Sequence, residues 1–255
     1  ALPRYGVTGW LPTVAPRPAG EDSAFLKTLA EAASAPGARV LGFHLEGPFL
    51  TLTGALPPEA LGAADPDRVR ALMDAAHPYP AVFSVAPDFK GIDKLIPLMR
   101  RHGAPVFMTH TQASVAETEA AIEAGARHAT HFYDVFPTPP VTEPGVRPCG
   151  AVEAILADPR VSVDFILDGV HVDPVAVRMA LQCKGPDRVC LITDAMVGAG
   201  SGPGRHTFGR KDVVFEYEGA PARAIDEQGR PGSLSGSGLT LNLALRNAVE
   251  MARIP

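Results

Sequence analysis

Seven short apolar runs recur along this chain of 255 residues, at Gly9–Val14, Val40–His44, Ala81–Ala86, Pro105–His110, Ala129–Phe132, Val161–Leu167 and Val189–Thr193. Each reads as a β-strand. Helix-like segments separate or follow them at Asp22–Ala33, Asp65–Ala76, Gly91–His102, Ser114–Ala124, Gly150–Ala157, Pro174–Gln182 and Leu239–Ala252. Regular strand–helix alternation is the mark of parallel βαβ units, so the fold class is α/β and the expected architecture a (β/α)8 barrel of the TIM type. Ser114 followed by Glu117 has the spacing of a capping box, which strengthens one of these helix starts. A closed barrel needs an eighth strand, because an open edge leaves unpaired backbone groups. That strand is expected before Ala1, making residues 1–255 a single incomplete barrel domain. Gly198–Phe208 reads as a mobile loop. Val213–Tyr217 and Ala222–Asp226 read as a hairpin joined through Glu218–Pro221.

Four residues stand at the ends of these runs: Glu46 in H-L-E-G-P, His110 in M-T-H-T-Q-A, His131 in A-T-H-F-Y-D and Asp194 in L-I-T-D-A. Side chains at the C-terminal ends of parallel barrel strands converge on one cavity. Imidazole and carboxylate suit a divalent ion and leave coordination positions open to water, so a hydrolytic metal site is expected. Simpler readings stand beside this one. Glu46 could be a strand-end carboxylate that accepts backbone hydrogen bonds, and His110 and His131 could be buried, hydrogen-bonded histidines. Asp194 could cap a helix, but Ala195–Gly204 is too rich in glycine to form one. His44 shares a strand face with Glu46 by the period of two and is read as structural or supporting. His77, His102, His128 and His206 are read as surface residues. Ser235–Gly238 is either a loop that presents backbone N–H groups to an anion or an ordinary helix start.

The rest of the composition narrows the partners. A net charge of −5 with no Lys/Arg run lacks the electrostatic footprint of nucleic-acid binding. No apolar stretch approaches the roughly 20 residues of a membrane helix. Cys149, Cys183 and Cys190 are odd in number and lack C-x-x-C spacing, which favours a reducing cytoplasm. The start, Ala1 to Gly6, has no basic region followed by an apolar run, so no secretory signal is read there.

Taken together, G-V-T-G-W-L-P-T, G-F-H-L-E-G-P-F-L, A-T-H-F-Y-D, D-G-V-H-V-D, L-I-T-D-A and L-S-G-S-G-L-T resemble the N-acetylglucosamine-6-phosphate deacetylases of the amidohydrolase superfamily. The motifs run in family order from Gly6 to Asn247. The resemblance implies that Glu46, His110 and His131 bind one divalent metal, zinc or iron. It implies that Asp194 is the catalytic acid/base and that His171 contacts substrate and the developing oxyanion. The implied reaction removes the acetyl group of an N-acetylhexosamine phosphate, giving acetate and the amino sugar phosphate. The implied partner is a small-molecule amino sugar, with a homodimer left open. The family's first strand and its small β-sandwich are expected to be absent from this chain.

The departures from the family fall on substrate recognition. Gly54-Ala55-Leu56 stands where the family has Gly-Ala-His, Asp134 where it has Asn, and Thr142 where it has the Arg before Glu-Pro-Gly. Arginine offers phosphate a planar fork that threonine lacks, which leaves Arg147 as the replacement phosphate partner. Two alternatives stay open: an amidohydrolase for an unphosphorylated N-acyl or cyclic amide, and a non-catalytic barrel of the same fold.

Overall fold

The computed structural model describes residues 2–57, 61–209, 211–226 and 228–254. It divides into two compact units, 1–162 and 163–255.

In the first unit, parallel strands alternate with helices. In chain order these are β1 (Gly9–Trp10), β2 (Thr13–Val14), α1 (Glu21–Ala32), β3 (Arg39–Val40), β4 (Phe43–Glu46), α2 (Pro66–Ala76), β5 (Ala81–Val85), α3 (Ile92–Met99), β6 (Val106–Met108), α4 (Val115–Ala124), β7 (Ala126–Ala129) and α5 (Ala151–Ala157). The strands β2, β4, β5, β6 and β7 are parallel neighbours in that order, and β1 pairs separately with β3. Every residue of β5 is buried, as expected of a parallel strand covered on both faces. The helices begin where local chemistry dictates. Asp65 accepts from the Asp67 N–H at 2.8 Å with Pro66 at the first helical position, and Ser114 and Glu117 form the expected reciprocal box. Buried Arg68 on α2 donates to Asp22 on α1 at 2.8 Å and to the Arg17 carbonyl at 2.7 Å, which ties the first two helices together.

The second unit takes in β8 (Ser162–Ile166) from its second residue, then α6 (Pro174–Lys184) and β9 (Val189–Ile192), with β8 and β9 parallel in the register Phe165 to Leu191. It continues with β10 (Gly204–Phe208), β11 (Lys211–Phe215), β12 (Pro221–Ile225) and β13 (Pro231–Ser237), an antiparallel sheet in that order, and ends with α7 (Leu241–Glu250). Val213, Phe215, Ala220 and Ala222 make a small core beneath this sheet, with Met196 packed on it.

Four expectations need correction. The runs Gly9–Val14 and Val40–His44 are each split into two short strands, at Leu11–Pro12, where proline has no N–H to give a ladder, and at Leu41–Gly42, so that β1 pairs with β3 and β2 with β4. The strand expected at Ala129–Phe132 lies earlier, at Ala126–Ala129. Beyond it His131, Tyr133 and Val135 adopt φ of 33°, 80° and 56°, a left-handed path no strand can follow. The expected loop Gly198–Phe208 ends in strand β10, and the hairpin after it is the middle of four strands. His128 is buried, where its Nδ1 lies 2.7 Å from the Ser162 hydroxyl, whereas His77 and His102 are exposed as expected.

Candidate metal centre

Glu46 is the last residue of β4, while His110 and His131 each stand two residues beyond the ends of β6 and β7. Both histidines have positive φ, 48° and 33°, in the region that disfavours side chains with a Cβ. Hydrogen bonds hold the turns in place. The Leu52 N–H donates to the His110 carbonyl at 3.2 Å, the Thr111 N–H to the Val135 carbonyl at 3.2 Å, and the Asp134 N–H to the His131 carbonyl at 2.9 Å.

The three side chains meet at one carboxylate oxygen. Glu46 Oε1 lies 3.1 Å from His110 Nε2 and 3.0 Å from His131 Nε2, and the Thr109 hydroxyl is 3.1 Å from the same His131 nitrogen. The ligand atoms all lie within 4.8 Å of one another, and the histidine side chains are only 4% and 5% exposed. Burial pushes the Glu46 carboxyl up, but the two rings, when protonated and donating to it, outweigh that and hold it well below the usual carboxylate range, and a cation in place of those protons acts in the same direction. Glu46 is therefore an acceptor only.

The tautomer of His110 makes this arrangement informative. Its Nδ1 lies 2.9 Å from the Leu52 carbonyl oxygen, which can only accept, so Nδ1 carries a proton. In the neutral ring Nε2 is then a bare lone pair, and it faces a carboxylate oxygen that is also bare. Two such atoms at 3.1 Å repel unless a positive charge lies at the junction. A bound cation supplies that charge without asking a buried ring to protonate. Backbone carbonyl to ligand imidazole is also the usual means by which proteins orient metal-binding histidines.

The remaining predicted residues of the first unit have other surroundings. Arg147 is 69% exposed on its side chain and pairs with Glu153 at 2.7 Å. Asp134 is half-buried beside the His131 turn. His44 is structural: its ring bridges the Thr13 hydroxyl at 3.0 Å and the Ser84 hydroxyl at 2.5 Å. Leu52 and Gly54 are contributors that the motifs did not single out. A Cβ on Gly54 would stand 2.8 Å from His110 Cε1, so glycine is needed there to let the ring lie where it does. The Gly-Ala pair in G-A-L was the signal, and its importance depends on a loop path that no sequence period encodes.

In the second unit, His171 Nδ1 lies 2.7 Å from Asp168 Oδ2, and both side chains are buried. Asp168 was visible in D-G-V-H-V-D, but its pairing with a residue three positions on follows from a turn and not from helix or strand spacing. Asp194 stands two residues beyond β9 with φ of 44°. The Ser237 N–H donates to its carbonyl at 2.9 Å, and the buried Ser237 hydroxyl donates to the Thr193 carbonyl. Ser235–Gly238 is the end of β13 and the approach to α7, and three backbone donors at its close are engaged: Ser237 with the Asp194 carbonyl, Gly238 with the Ala220 carbonyl at 2.7 Å, and Leu239 with the Ser237 hydroxyl at 3.0 Å.

No family model matches the chain. Among curated proteins it is 34% identical over 255 residues to an N-acetylgalactosamine-6-phosphate deacetylase of Escherichia coli O157:H7, covering 98% of this chain and 64% of that protein. It is 32% identical over 256 residues to an N-acetylglucosamine-6-phosphate deacetylase of Bacillus subtilis, covering 98% and 62%. Among solved structures, a mutant N-acetyl-D-glucosamine-6-phosphate deacetylase of Mycobacterium smegmatis in complex with N-acetyl-D-glucosamine-6-phosphate superposes with a TM-score of 0.84 at 30% identity, covering 98% of this chain and 63% of that one. The Pasteurella multocida N-acetylglucosamine-6-phosphate deacetylase gives 0.82 at 28% identity with the same coverage. The chain thus spans less than two thirds of the length of these relatives. Its strand–helix order is that of a partial (β/α) barrel, and along 98% of its length it is similar to these N-acetylhexosamine-6-phosphate deacetylases.

Proposed function

We propose that this chain carries the metal-binding portion of a deacetylase that hydrolyses the acetamide of an N-acetylhexosamine 6-phosphate to acetate and the amino sugar phosphate. The observation that carries the reading is the convergence of His110 and His131 on one oxygen of ionised Glu46, with His110 Nδ1 committed to the Leu52 carbonyl. Glu46 Oε1 at 3.1 and 3.0 Å from the two ring nitrogens, with all three ligand atoms within 4.8 Å of one another, would let one divalent ion be held by all three. Zinc or iron suits two imidazoles and a carboxylate.

Glu46, His110 and His131 hold the ion, which would supply the Lewis acidity that makes water a nucleophile near neutral pH. Asp194 takes a proton from the attacking water as the new C–O bond forms, and returns it to the nitrogen as the C–N bond breaks. His171 hydrogen-bonds the carbonyl oxygen as charge gathers on it. Asp134 and Arg147 are assigned to the sugar and its phosphate, the latter after release from Glu153. These roles for the second unit and for the substrate contacts rest on the motifs shared with the family. A sugar phosphate is a metabolite of the cytoplasm, which also accords with three exposed, unbridged cysteines. Among the described residues no helix is long and apolar enough to cross a membrane.

Elemental analysis and acetate release on the same sample test the reading. The purified chain should carry about one divalent ion, which His110→Ala and His131→Ala should each remove. Acetate should appear from N-acetylglucosamine 6-phosphate or N-acetylgalactosamine 6-phosphate faster than from the unphosphorylated sugars. A metal-loaded chain that releases acetate from neither phosphate refutes the assignment.

A further inference from the structure

Asp168 uses its two oxygens for two different tasks. Oδ1 accepts the backbone N–H groups of Val170 and His171, each at 2.9 Å, which closes the turn after β8. Oδ2 lies 2.7 Å from His171 Nδ1, with the two side chains 0% and 2% exposed. The base of this turn is clamped from α7: the Asn247 amide donates to the Leu167 carbonyl at 2.9 Å. Burial pushes the Asp168 carboxyl up, but the hydrogen bond and charge of His171 and the two backbone donors outweigh it and lower it below its ordinary value, so Oδ2 is an acceptor at neutral pH.

We propose that Asp168 is a positioning residue that fixes the His171 ring in its Nδ1–H form and so assigns Nε2 as the atom through which His171 meets its ligand. An ionised carboxylate can only accept, so Nδ1 must carry the proton in both charge states of the ring. Neutral His171 therefore presents a lone pair at Nε2. Protonated His171 presents an Nε2–H donor. A donor at Nε2 is what a carbonyl oxygen gathering negative charge requires. This last step rests on the deacetylase reading, whereas the assignment of the tautomer does not.

Asp168→Asn isolates the ring-setting task from the turn. An asparagine that keeps Oδ1 on the two backbone donors places its NH2 against Nδ1, and the reverse orientation would set that NH2 against both N–H groups. The amide then donates to Nδ1 and drives the ring proton to Nε2. The readout is the side-chain 15N spectrum of the full chain, labelled at histidine, with His171 identified by loss of its signals in His171→Asn. Neutral His171 should be Nδ1–H in the parent and Nε2–H in Asp168→Asn. A parent ring with its proton on Nε2, or a tautomer unchanged by the substitution, overturns the proposal.

Acetate release from N-acetylglucosamine 6-phosphate, at matched metal content, is the second arm. Asp168→Asn should lower kcat about 10–100-fold, the usual cost of losing the partner that orients a functional histidine. The alkaline limb of its pH profile should flatten, since the neutral ring of the variant keeps an N–H at Nε2 that the neutral ring of the parent lacks. A reversed tautomer with kcat and that limb unchanged overturns the role in the reaction. If the parent chain hydrolyses no such substrate, the deacetylase reading fails, and the tautomer comparison alone decides the proposal.

Discussion

Replacing Gly54 by alanine tests whether the loop after β4 is shaped to the His110 ring. The new Cβ would stand 2.8 Å from His110 Cε1, 3.3 Å from His110 Nδ1 and 3.2 Å from Val135 Cγ2. Unstrained carbon contacts begin near about 3.5 Å, so the ring or the loop must yield by roughly 0.7 Å. The ring cannot yield without moving Nδ1 against the Leu52 carbonyl at 2.9 Å and turning Nε2 away from Glu46. Loss of such an orienting contact typically weakens metal affinity 10–100-fold, about 1.4–2.7 kcal/mol. Alanine at a φ of 54° adds a backbone cost of about 1–2 kcal/mol whatever its surroundings. Gly103→Ala separates the two effects, because Gly103 has a φ of 78° and nothing within 4 Å of its Cβ. Chelator competition measures metal affinity, and urea unfolding of the metal-free chains measures the backbone cost. Both variants should lose similar stability while only Gly54→Ala loses metal affinity. Equal affinity in the two would show that the close approach to His110 is of no consequence to the centre.

Asp22→Ala leaves Arg68 charged and buried, so unfolding should lose about 3–5 kcal/mol, and the double substitution Asp22→Leu with Arg68→Met should recover most of it in urea titrations. Asp168 has a folded-state pKa lowered by His171, so its stabilisation is complete above the unfolded value near about 3.9 and is lost as pH falls through the folded value. The stability gap between the parent and Asp168→Asn should therefore narrow between pH 7 and strong acid, and a gap that widens contradicts the sign. Ser237→Ala removes the hydroxyl bond to the Thr193 carbonyl beside Asp194 and orphans the Leu239 N–H, which costs about 1–3 kcal/mol. Metal content should stay at the parent level while kcat falls, and an unchanged kcat would show that Ser237 does not hold Asp194.

The parallel strands and their helices were legible because each has a physical signature confined to its own residues. The apolar run Ala81–Ala86 and the Ser114–Glu117 spacing are examples, the first realised as a strand over Ala81–Val85 and the second as a capping box. The grouping of Glu46, His110 and His131 was legible for the same reason, since each follows an apolar run. What escaped depends on partners distant in sequence. Gly204–Phe208 reads as a glycine-rich loop until β11 offers it a ladder from Gly204–Phe215 to Phe208–Lys211. His128 reads as a surface residue because the hydroxyl that satisfies it belongs to Ser162, 34 positions away. Arg147 was named as the replacement for the arginine that Thr142 lacks, but Glu153, six residues on, pairs with it at 2.7 Å.

One local pattern does link the motifs to the geometry. His110, His131 and Asp194 each follow a threonine, each stand two residues beyond a parallel strand, and each take a positive φ, of 48°, 33° and 44°. Such a conformation costs a side chain with a Cβ on the order of 1–3 kcal/mol, so three occurrences at equivalent points demand a common reason. A residue that continued the strand would point to one pleat face and lie beside the strand's own core residues. The left-handed step breaks the ladder and turns the side chain off that alternation. In each case a bond to the strained residue's own carbonyl helps to hold the step, from the Leu52, Asp134 and Ser237 N–H groups respectively. Glu46 differs in being still within β4, opposite Ser84, and the left-handed step passes to Gly47 with φ of 93°, where it costs little. His102, Tyr133, Val135 and Arg253 also take positive φ, so a left-handed step alone marks no site; what sets His110, His131 and Asp194 apart is its recurrence two residues beyond a parallel strand, where it turns each side chain off the strand's own alternation.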